Sequence, residues 1–544
     1  MITTLLLGLS TSAHAQGAPD NWKFSLDGYY RVRANVFGDL YQGQEKAGTY
    51  MLHRVRLQPE LNFEDRAKFV VMADALDGVA WGDNASLAST ALFAGDPSLT
   101  GIEGQEITPI QVKRAWMEFK VPVGLLRVGR QGSQWGMGLL ANDGNGFDDT
   151  FGENKYGATY DRAIFATRPI SIVQTIAGKR DTGIPLIVAV GVDRLVEDPL
   201  IQYYGYGCTL DQTAEDGEDP RCEETENHGY TEERDASRRA GDWWVDPEDD
   251  VWEMVYVVRY AGEGIKLPGG QVGDLTVGAY VVNRKQTETE SDVLILDGYL
   301  KAEVAGAFLE GEILNIRGDT RAITLTTTSD AEGVDPLYKK ADIWGYVVRG
   351  GYQTEILTVG LEHGFASGDS NVPDANFTGR PLSPDHNVGL IMYEEILSRV
   401  TATTWSEDAR GLWSNGGVYN SRYVFPVVRV RPLDNWEIIG GFLTAWPDEP
   451  DGARIRCTEA EANDPERGLQ CGNSRAAATS LGWEADLAIK HRWHDHVNFT
   501  LEGGYAHISD RVPLKSVGLG YYVNSAGQEV GNYWTLQSRI AYEF

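Results

Sequence analysis

Residues 531–544 read GNYWTLQSRIAYEF, and this stretch decides the fold. Trp534, Leu536, Ile540, Tyr542 and Phe544 share one parity, interrupted only by Ser538, while Thr535, Gln537, Arg539 and Glu543 hold the other. Side chains alternate across a strand, so this is a strand with one oily face. That face is rich in aromatics. A soluble amphipathic edge strand shows the same alternation, so the remaining chain must decide between water and lipid.

Working outward, the pattern recurs. Phe24, Leu26, Gly28, Tyr30, Val32, Ala34 and Val36 alternate with Lys23, Ser25, Asp27, Tyr29, Arg31, Arg33 and Asn35. Met51–Phe63 sets Val55, Leu57, Pro59, Leu61 and Phe63 against Arg54, Arg56, Gln58, Glu60 and Asn62. Only Glu64-Asp65-Arg66 separates it from a third strand, Ala67–Asp77. The same rhythm predicts strands at 109–120, 124–132, 158–168, 184–195, 250–262, 271–284, 292–304, 305–317, 338–352, 354–366, 418–432, 435–447, 478–492, 496–508 and 531–544. The expectation is an all-β chain forming one transmembrane antiparallel up-and-down barrel of about 18 strands, with 16 as the alternative count. An even count puts both termini on the periplasmic side, with short periplasmic turns and long extracellular loops. Pro169–Gly183 is the uncertain stretch: a periplasmic detour, a longer strand end, or a hidden strand pair.

Charge alternates with grease in the later strands too. Trp252, Met254, Tyr256, Val258 and Tyr260 oppose Glu253 and Arg259, and Leu481, Trp483, Ala485, Leu487 and Ile489 oppose Glu484, Asp486 and Lys490. A charge pointing into lipid costs ~2–4 kcal/mol at the midplane, so these charges belong in a lumen. Eighteen strands leave an interior wider than wall side chains fill, which implies a channel or a folded-in plug. Inward arginines cluster early, at Arg31, Arg33, Arg54 and Arg56, and inward carboxylates later, at Glu310, Glu312, Glu362, Glu484, Asp486 and Glu502. Two readings stand for the arginines: an electropositive path for anionic or hydroxyl-rich solutes, or pairing with carboxylates that stiffens the wall.

With its terminal aromatic and alternating apolar residues, the last strand resembles the closing strand of bacterial outer-membrane β-barrel proteins. The resemblance implies that Ile540, Tyr542 and Phe544 carry the signal read by the barrel assembly machinery. Residues 114–149, RAWMEFKVPVGLLRVGRQGSQWGMGLLANDGNGFDD, are similar to the porin and alginate-export type of barrel, in which such a strand pair feeds a Gly-rich loop that folds into the pore. Carried over, this marks Arg114, Glu118, Arg127, Arg130 and Gln131 as pore-lining groups. Arg127 and Arg130 have opposite parity, so both face inward only if a bulge or strand end intervenes.

The opposite end of the chain indicates the compartment. An apolar run from Thr3 to Leu9 precedes Ala13-His14-Ala15, a small-x-small pattern that predicts a signal peptide over 1–15, without the usual basic n-region, and a barrel over 16–544. No later stretch has the ~18 apolar residues of a membrane helix. Mean hydropathy is -0.32, as expected when one residue in two meets lipid, and 62 Gly, 25 Tyr and 15 Trp suit many turns and two aromatic girdles. Much of the net charge of -31 sits in Asp211–Asp250, a solvated loop. No basic patch is interleaved with aromatics, so nucleic acid is excluded as a partner. The partners expected are outer-membrane lipid, lipopolysaccharide, the assembly machinery and a polar or anionic solute.

The four cysteines fall as two local pairs with equal spacing in predicted extracellular loops. An oxidising compartment and the ease of closing short loops predict Cys208–Cys222 and Cys457–Cys471, each stabilising its loop by about 3 kcal/mol. Asn142, Asp143, Asn145, Asp148 and Asp149 cluster oxygens of the kind Ca2+ takes, although their spacing matches no complete calcium loop and turn chemistry accounts for them as well. No other cofactor is expected. His491, His494 and His496 crowd one turn, which reads as a plain periplasmic turn before a metal site. No G-x-S-x-G, H-E-x-x-H or Walker loop occurs, so the chain is read as a channel rather than an enzyme. A structural or adhesive barrel with large acidic loops is the alternative, and a barrel enzyme the third reading. Ser367–Gly416 is too long for a plain loop, and within it 386–401, HNVGLIMYEEILSRVT, is expected to fold over or into the lumen as a lid or partial plug, with a lipid-facing strand as the alternative.

Overall fold

The computed structural model describes residues 21–40, 48–77, 110–147, 150–154, 157–197, 251–266, 272–287, 290–320, 339–370, 376–403, 405–406, 409–410, 414–449, 479–509, 512, 514–515 and 518–544. Eighteen long antiparallel strands close a barrel. They are β1 (Trp22–Gly38), β2 (Gly48–Phe63), β3 (Ala67–Ala75), β4 (Gln111–Val121), β5 (Gly124–Gly132), β6 (Thr159–Thr167), β7 (Leu186–Glu197), β8 (Trp252–Lys266), β9 (Val272–Gln286), β10 (Ser291–Val304), β11 (Ala307–Thr320), β12 (Lys339–Gln353), β13 (Leu357–Ala366), β14 (Ser421–Leu433), β15 (Trp436–Pro447), β16 (Gly482–Trp493), β17 (Val497–Ile508) and β18 (Glu529–Glu543). The expected strands are all present, most bounds shifting by a few residues. Pro169–Gly183 hides no strand pair: Pro169–Ile176 form a short helix, α1, between β6 and β7, and the count of 16 falls away.

Closure joins the two ends of the chain. β18 pairs with β1 from Tyr29↔Glu543 to Gly38↔Trp534, and Phe544 exchanges both backbone hydrogen bonds with Gly28 at 3.0 and 3.1 Å. The Phe544 ring lies over Gly28, where a Cβ would meet its carbons at 3.1 Å, and the Trp534 ring covers Gly38. Glycine is needed at both positions because aromatic rings occupy the space a side chain would take.

The outer face matches a lipid bilayer. Trp22, Phe24, Tyr352, Trp436, Phe499, Tyr542 and Phe544 are exposed near the short-turn end, and Tyr50, Trp252, Trp344, Tyr505 and Trp534 near the other. Between them lie aliphatics such as Val190, Val258, Ile313, Val348, Leu361, Leu487 and Ile540. Two aromatic girdles bounding an apolar band, on an even-stranded barrel with short turns at one end, is the architecture of bacterial outer-membrane proteins. No described helix is long and apolar enough to cross a membrane.

The lumen is packed from within. The described parts of 133–158, between β5 and β6, and of 367–420, between β13 and β14, fold inward. Leu139, Phe151, Leu382, Ile391, Met392, Tyr393 and Ile396 are buried against wall residues including Val255, Leu314, Val347, Ile439 and Leu443. Each such side chain, fully buried, is worth about 1.5–3 kcal/mol, so the inserts are held as a core rather than draped. Met392–Leu397 is a π-helical turn that runs into the helix Ser398–Thr403. The expected insertion of 386–401 is what the structure shows over its described side chains. Cys208, Cys222, Cys457 and Cys471, with the paired loops predicted for them, lie outside the described residues, as does the N-terminal segment.

Candidate functional site

Alternation carries Arg31, Arg33, Arg54 and Arg56 to the inner wall, where the barrel register sets like charges side by side. Arg31 stands opposite Arg54 across β1 and β2, and Arg33 opposite Arg539 across β1 and β18. Close cations need compensation, and a carboxylate from the 133–158 insert supplies it. Glu153, itself buried, lies 2.8 Å from Arg31, 3.2 Å from Arg33 and 3.0 Å from Arg539. Three guanidiniums share that one carboxylate. Arg54 pairs with Asp77 at 2.5 Å, and Arg56 grips Asp74 through two hydrogen bonds of 2.7 and 2.8 Å while donating to Asn145 Oδ1. The groups face inward, as parity predicts, and they are paired with carboxylates.

Burial pushes the Glu153 carboxyl up, but Arg33, Arg31 and Arg539 outweigh it and hold the pKa at about 2, below an ordinary 4.5. A carboxyl depressed on folding contributes stability above its unfolded value and loses it as pH falls through its folded value. The drop is worth on the order of 3 kcal/mol at neutral pH. Docking of 133–158 should accordingly weaken between about pH 4.5 and 2. Hydrogen exchange of that segment checks this: protection should fall across the window in the native chain and lose most of that pH dependence in Glu153→Gln.

The remaining expected pore-lining residues divide by position. Arg114 is buried at the root of the insert, donating to the carbonyl of Asp143 at 2.8 Å and to Thr159 Oγ1 at 3.4 Å. Gln131 is buried too, its Nε2 donating to the carbonyls of Gly129 and Arg162 at 3.2 Å. Glu118 and Arg127 pair at 2.6 Å lower in the lumen, with Lys68 3.7 Å from Glu118. Arg130 is a correction. It points outward and forms a two-bond pair with Asp161 at 2.9 and 2.8 Å, because no reversal of parity follows the buried, inward Gln131.

The inserts are gripped through their main chain. Glu312 on β11 accepts hydrogen bonds from the Met137 and Leu139 amides, and Glu484 on β16 accepts from the Leu390, Ile391 and Met392 amides at 2.6, 2.8 and 2.7 Å. With two and three amide donors respectively, at about 0.5–1.5 kcal/mol per hydrogen bond, these two wall carboxyl groups are the principal polar anchors among the described residues. The inserts also hold one another: the Ser383 amide donates to the Leu139 carbonyl at 2.7 Å, and the Gly157 amide to Asp385 Oδ2 at 2.6 Å.

Toward the short-turn end the inserts leave a cavity of about 610 Å3. Lys301, Arg349, Arg429 and Arg431 line it together with Glu303, Glu310, Glu362 and Asp385, and Phe308, Phe425 and Val427 supply its apolar surface. Arg349 pairs with Glu310 at 2.6 Å and Arg431 with Glu437 at 3.0 Å. His386 lies over the cavity, 3.8 Å from Glu362 and 3.3 Å from the Tyr423 hydroxyl, and burial lowers its pKa against the pull of Glu362.

The clustered oxygens of 142–149 are engaged where they are described. Asn142 Oδ1 accepts from the Gly144 amide, Asp143 Oδ1 from the Asn145 amide, and Asn145 Oδ1 from Arg56. Asp148 and Asp149 lie outside the described residues. The Nδ1 atoms of His491 and His496 donate to the carbonyls of Asn435 and Glu543 in the β16–β17 turn region. Among the described residues, no group of three or more His, Cys, Asp or Glu is placed to hold a metal ion.

Sequence reasoning missed Glu153 and the backbone anchors. The one available signal was the Gly-rich composition of the insert, which allows a carboxylate to be carried deep into the wall.

No protein-family model matches the chain, and no curated protein matches it. Among solved structures it is similar to Acinetobacter baumannii OccAB1, at 11% identity over 98% of this chain and 99% of that one, with a TM-score of 0.48. It is also similar to Pseudomonas aeruginosa OccK11 (OpdR), at 9% identity over 97% and 98% with a TM-score of 0.45. A third is Pseudomonas aeruginosa OccK2 (OpdF) in complex with glucuronate, at 9% identity over 96% and 98% with a TM-score of 0.45.

Proposed function

We propose that the chain is an outer-membrane channel that passes small polar solutes and favours anionic ones. The observation that carries this reading is the sharing of Glu153 by Arg31, Arg33 and Arg539, which leaves guanidiniums in excess of carboxylates at that cluster. The insert that supplies Glu153 also lines the charged cavity, through Asn145, Thr150 and Asn154. Low-dielectric walls focus such a field along a lumen, so a modest excess of charge is felt by passing ions. Packing of two inserts against the wall favours small solutes over a polymer, which tells against the polysaccharide-export reading.

Reversal potentials in planar bilayers under a salt gradient test the assignment in both directions. Replacing Arg33 and Arg539 by Gln should move selectivity toward cations, and Glu153→Gln should move it toward anions. Equal shifts of one sign, or none, would place the cluster off the permeation path. A folded barrel that never conducts would favour the structural or adhesive reading instead.

A further inference from the structure

Among the described residues, α1 is the one helix at the short-turn end of the barrel. Pro169, Ile172, Val173 and Ile176 fall at i, i+3, i+4 and i+7, which makes one apolar stripe along it. The opposite side is satisfied by its own turn. The Ser171 hydroxyl donates to Asp181 Oδ1 at 3.0 Å, Gln174 Nε2 donates to Thr182 Oγ1 at 2.9 Å, and the Thr182 amide donates back to Gln174 Oε1 at 2.9 Å. These bonds fix which way the helix faces and leave the stripe outward. No residue of α1 is buried, and Val173 is 65% exposed and Ile176 81%. A helix whose polar side is tied down and whose apolar side is bare needs a covering medium.

The same sector of the rim supplies more apolar surface. Val121 and Val123 in the β4–β5 connection and Ile184 after α1 are exposed, and the Thr167 hydroxyl donates to the Val123 carbonyl at 2.6 Å, joining the two connections. By contrast Glu64-Asp65-Arg66, Asp434-Asn435 and His494-Asp495-His496, turns at the same end, contain no aliphatic residue. Phe165, whose ring covers Gly124, ties the sector to the lipid-facing wall. At most about 13 Å of extended chain separates Phe165 from Pro169, so α1 starts within reach of the lipid headgroups. Lys179 and Arg180 follow the helix and are exposed, while Asp181 is engaged by Ser171 and by the Gly183 amide at 2.8 Å.

We propose that α1 lies in the inner leaflet of the outer membrane, with its stripe against acyl chains and with Lys179 and Arg180 among the lipid phosphates. An apolar face sunk to the boundary of headgroups and chains, with cations beside it, is the chemistry of an interfacial helix. Phospholipid is the occupant that the position favours over a periplasmic protein, because the patch adjoins wall that lipid already covers. The helix then steadies the barrel at a fixed depth on one side of its periplasmic rim.

Photo-crosslinking of the full chain tests the proposal, with heat-dependent gel mobility confirming that each variant folds. In nanodiscs containing phosphatidylglycerol, Ile176→p-benzoylphenylalanine should gain the mass of one phospholipid on illumination, as the same substitution should at the lipid-facing Leu361 and should not at Asp65. Adding Lys179→Glu and Arg180→Glu should cut the adduct at least threefold. Benzophenone is itself apolar, so hydrogen exchange of residues 170–178 provides a reading without it: Val173→Asp with Ile176→Asp should speed exchange in nanodiscs at least tenfold over the native chain. The proposal is overturned by the absence of a lipid adduct at position 176, by a yield indifferent to the two cations, or by exchange that the two aspartates leave unchanged. Crosslinking to a protein rather than to lipid in intact outer membranes overturns it as well.

Discussion

Replacing residues 386–400 with a short glycine–serine linker is expected to raise single-channel conductance severalfold. The segment fills lumen that the wall cannot fill alone, since Leu390, Ile391, Met392, Tyr393 and Ile396 are each at most 2% exposed. Removing it empties that volume and strips Glu484 of its three amide donors. A point change provides a milder version. Glu484→Ala leaves three buried N–H groups without their acceptor, at a cost of about 1–3 kcal/mol apiece, and should produce flickering between the native and the larger conductance. Unchanged conductance and unchanged exclusion of large solutes in both variants would show that the segment lies beside the path rather than in it.

Deleting Phe544 should cut the amount of folded barrel in the outer membrane more than any single change in an exposed loop. The residue supplies the last two rungs between the ends of the chain, to Gly28, and its ring lies over that glycine. Backbone groups without partners at the membrane edge cost several kcal/mol each, and a barrel that cannot close keeps two open edges. Gly28→Val attacks the same joint from the other strand, since its side chain would enter the space of the Phe544 ring. Both variants should lose the difference in gel mobility between unheated and boiled samples. Levels equal to those of a loop variant would remove the closing role assigned to Ile540, Tyr542 and Phe544.

Strand placement was legible because a barrel wall has two solvents. Lipid outside and charge inside force a period of two on every strand, so β5 was bounded correctly from Gly124 to Gly132 with no tertiary information. Loop ends were less legible: β13 begins at Leu357 rather than 354, since Thr354 turns back to bond Leu357 and alternation is silent about turns. The site was half legible. Arg31, Arg33, Arg54 and Arg56 could be placed on the inner face by parity. Their compensation could not, because Glu153 and Arg539 are separated by 386 positions and meet only when the barrel closes. Main-chain anchors leave no residue signature on the anchored side, which is why Glu312 and Glu484 were recognised as inward carboxylates and not as clamps. Arg130 shows the converse: parity allowed only one of Arg127 and Arg130 to face in along a regular strand, and motif resemblance marked both.

The grip of Glu312 and Glu484 on amides rather than side chains separates two things that selection would otherwise have to change together. Any residue but proline offers the same N–H, so positions 137, 139 and 390–392 can exchange side chains without surrendering the anchorage. Mutational drift in the inserts would then retune what the lumen admits while the wall stays constant. Descendants of this chain could diverge in diet long before they diverged in architecture.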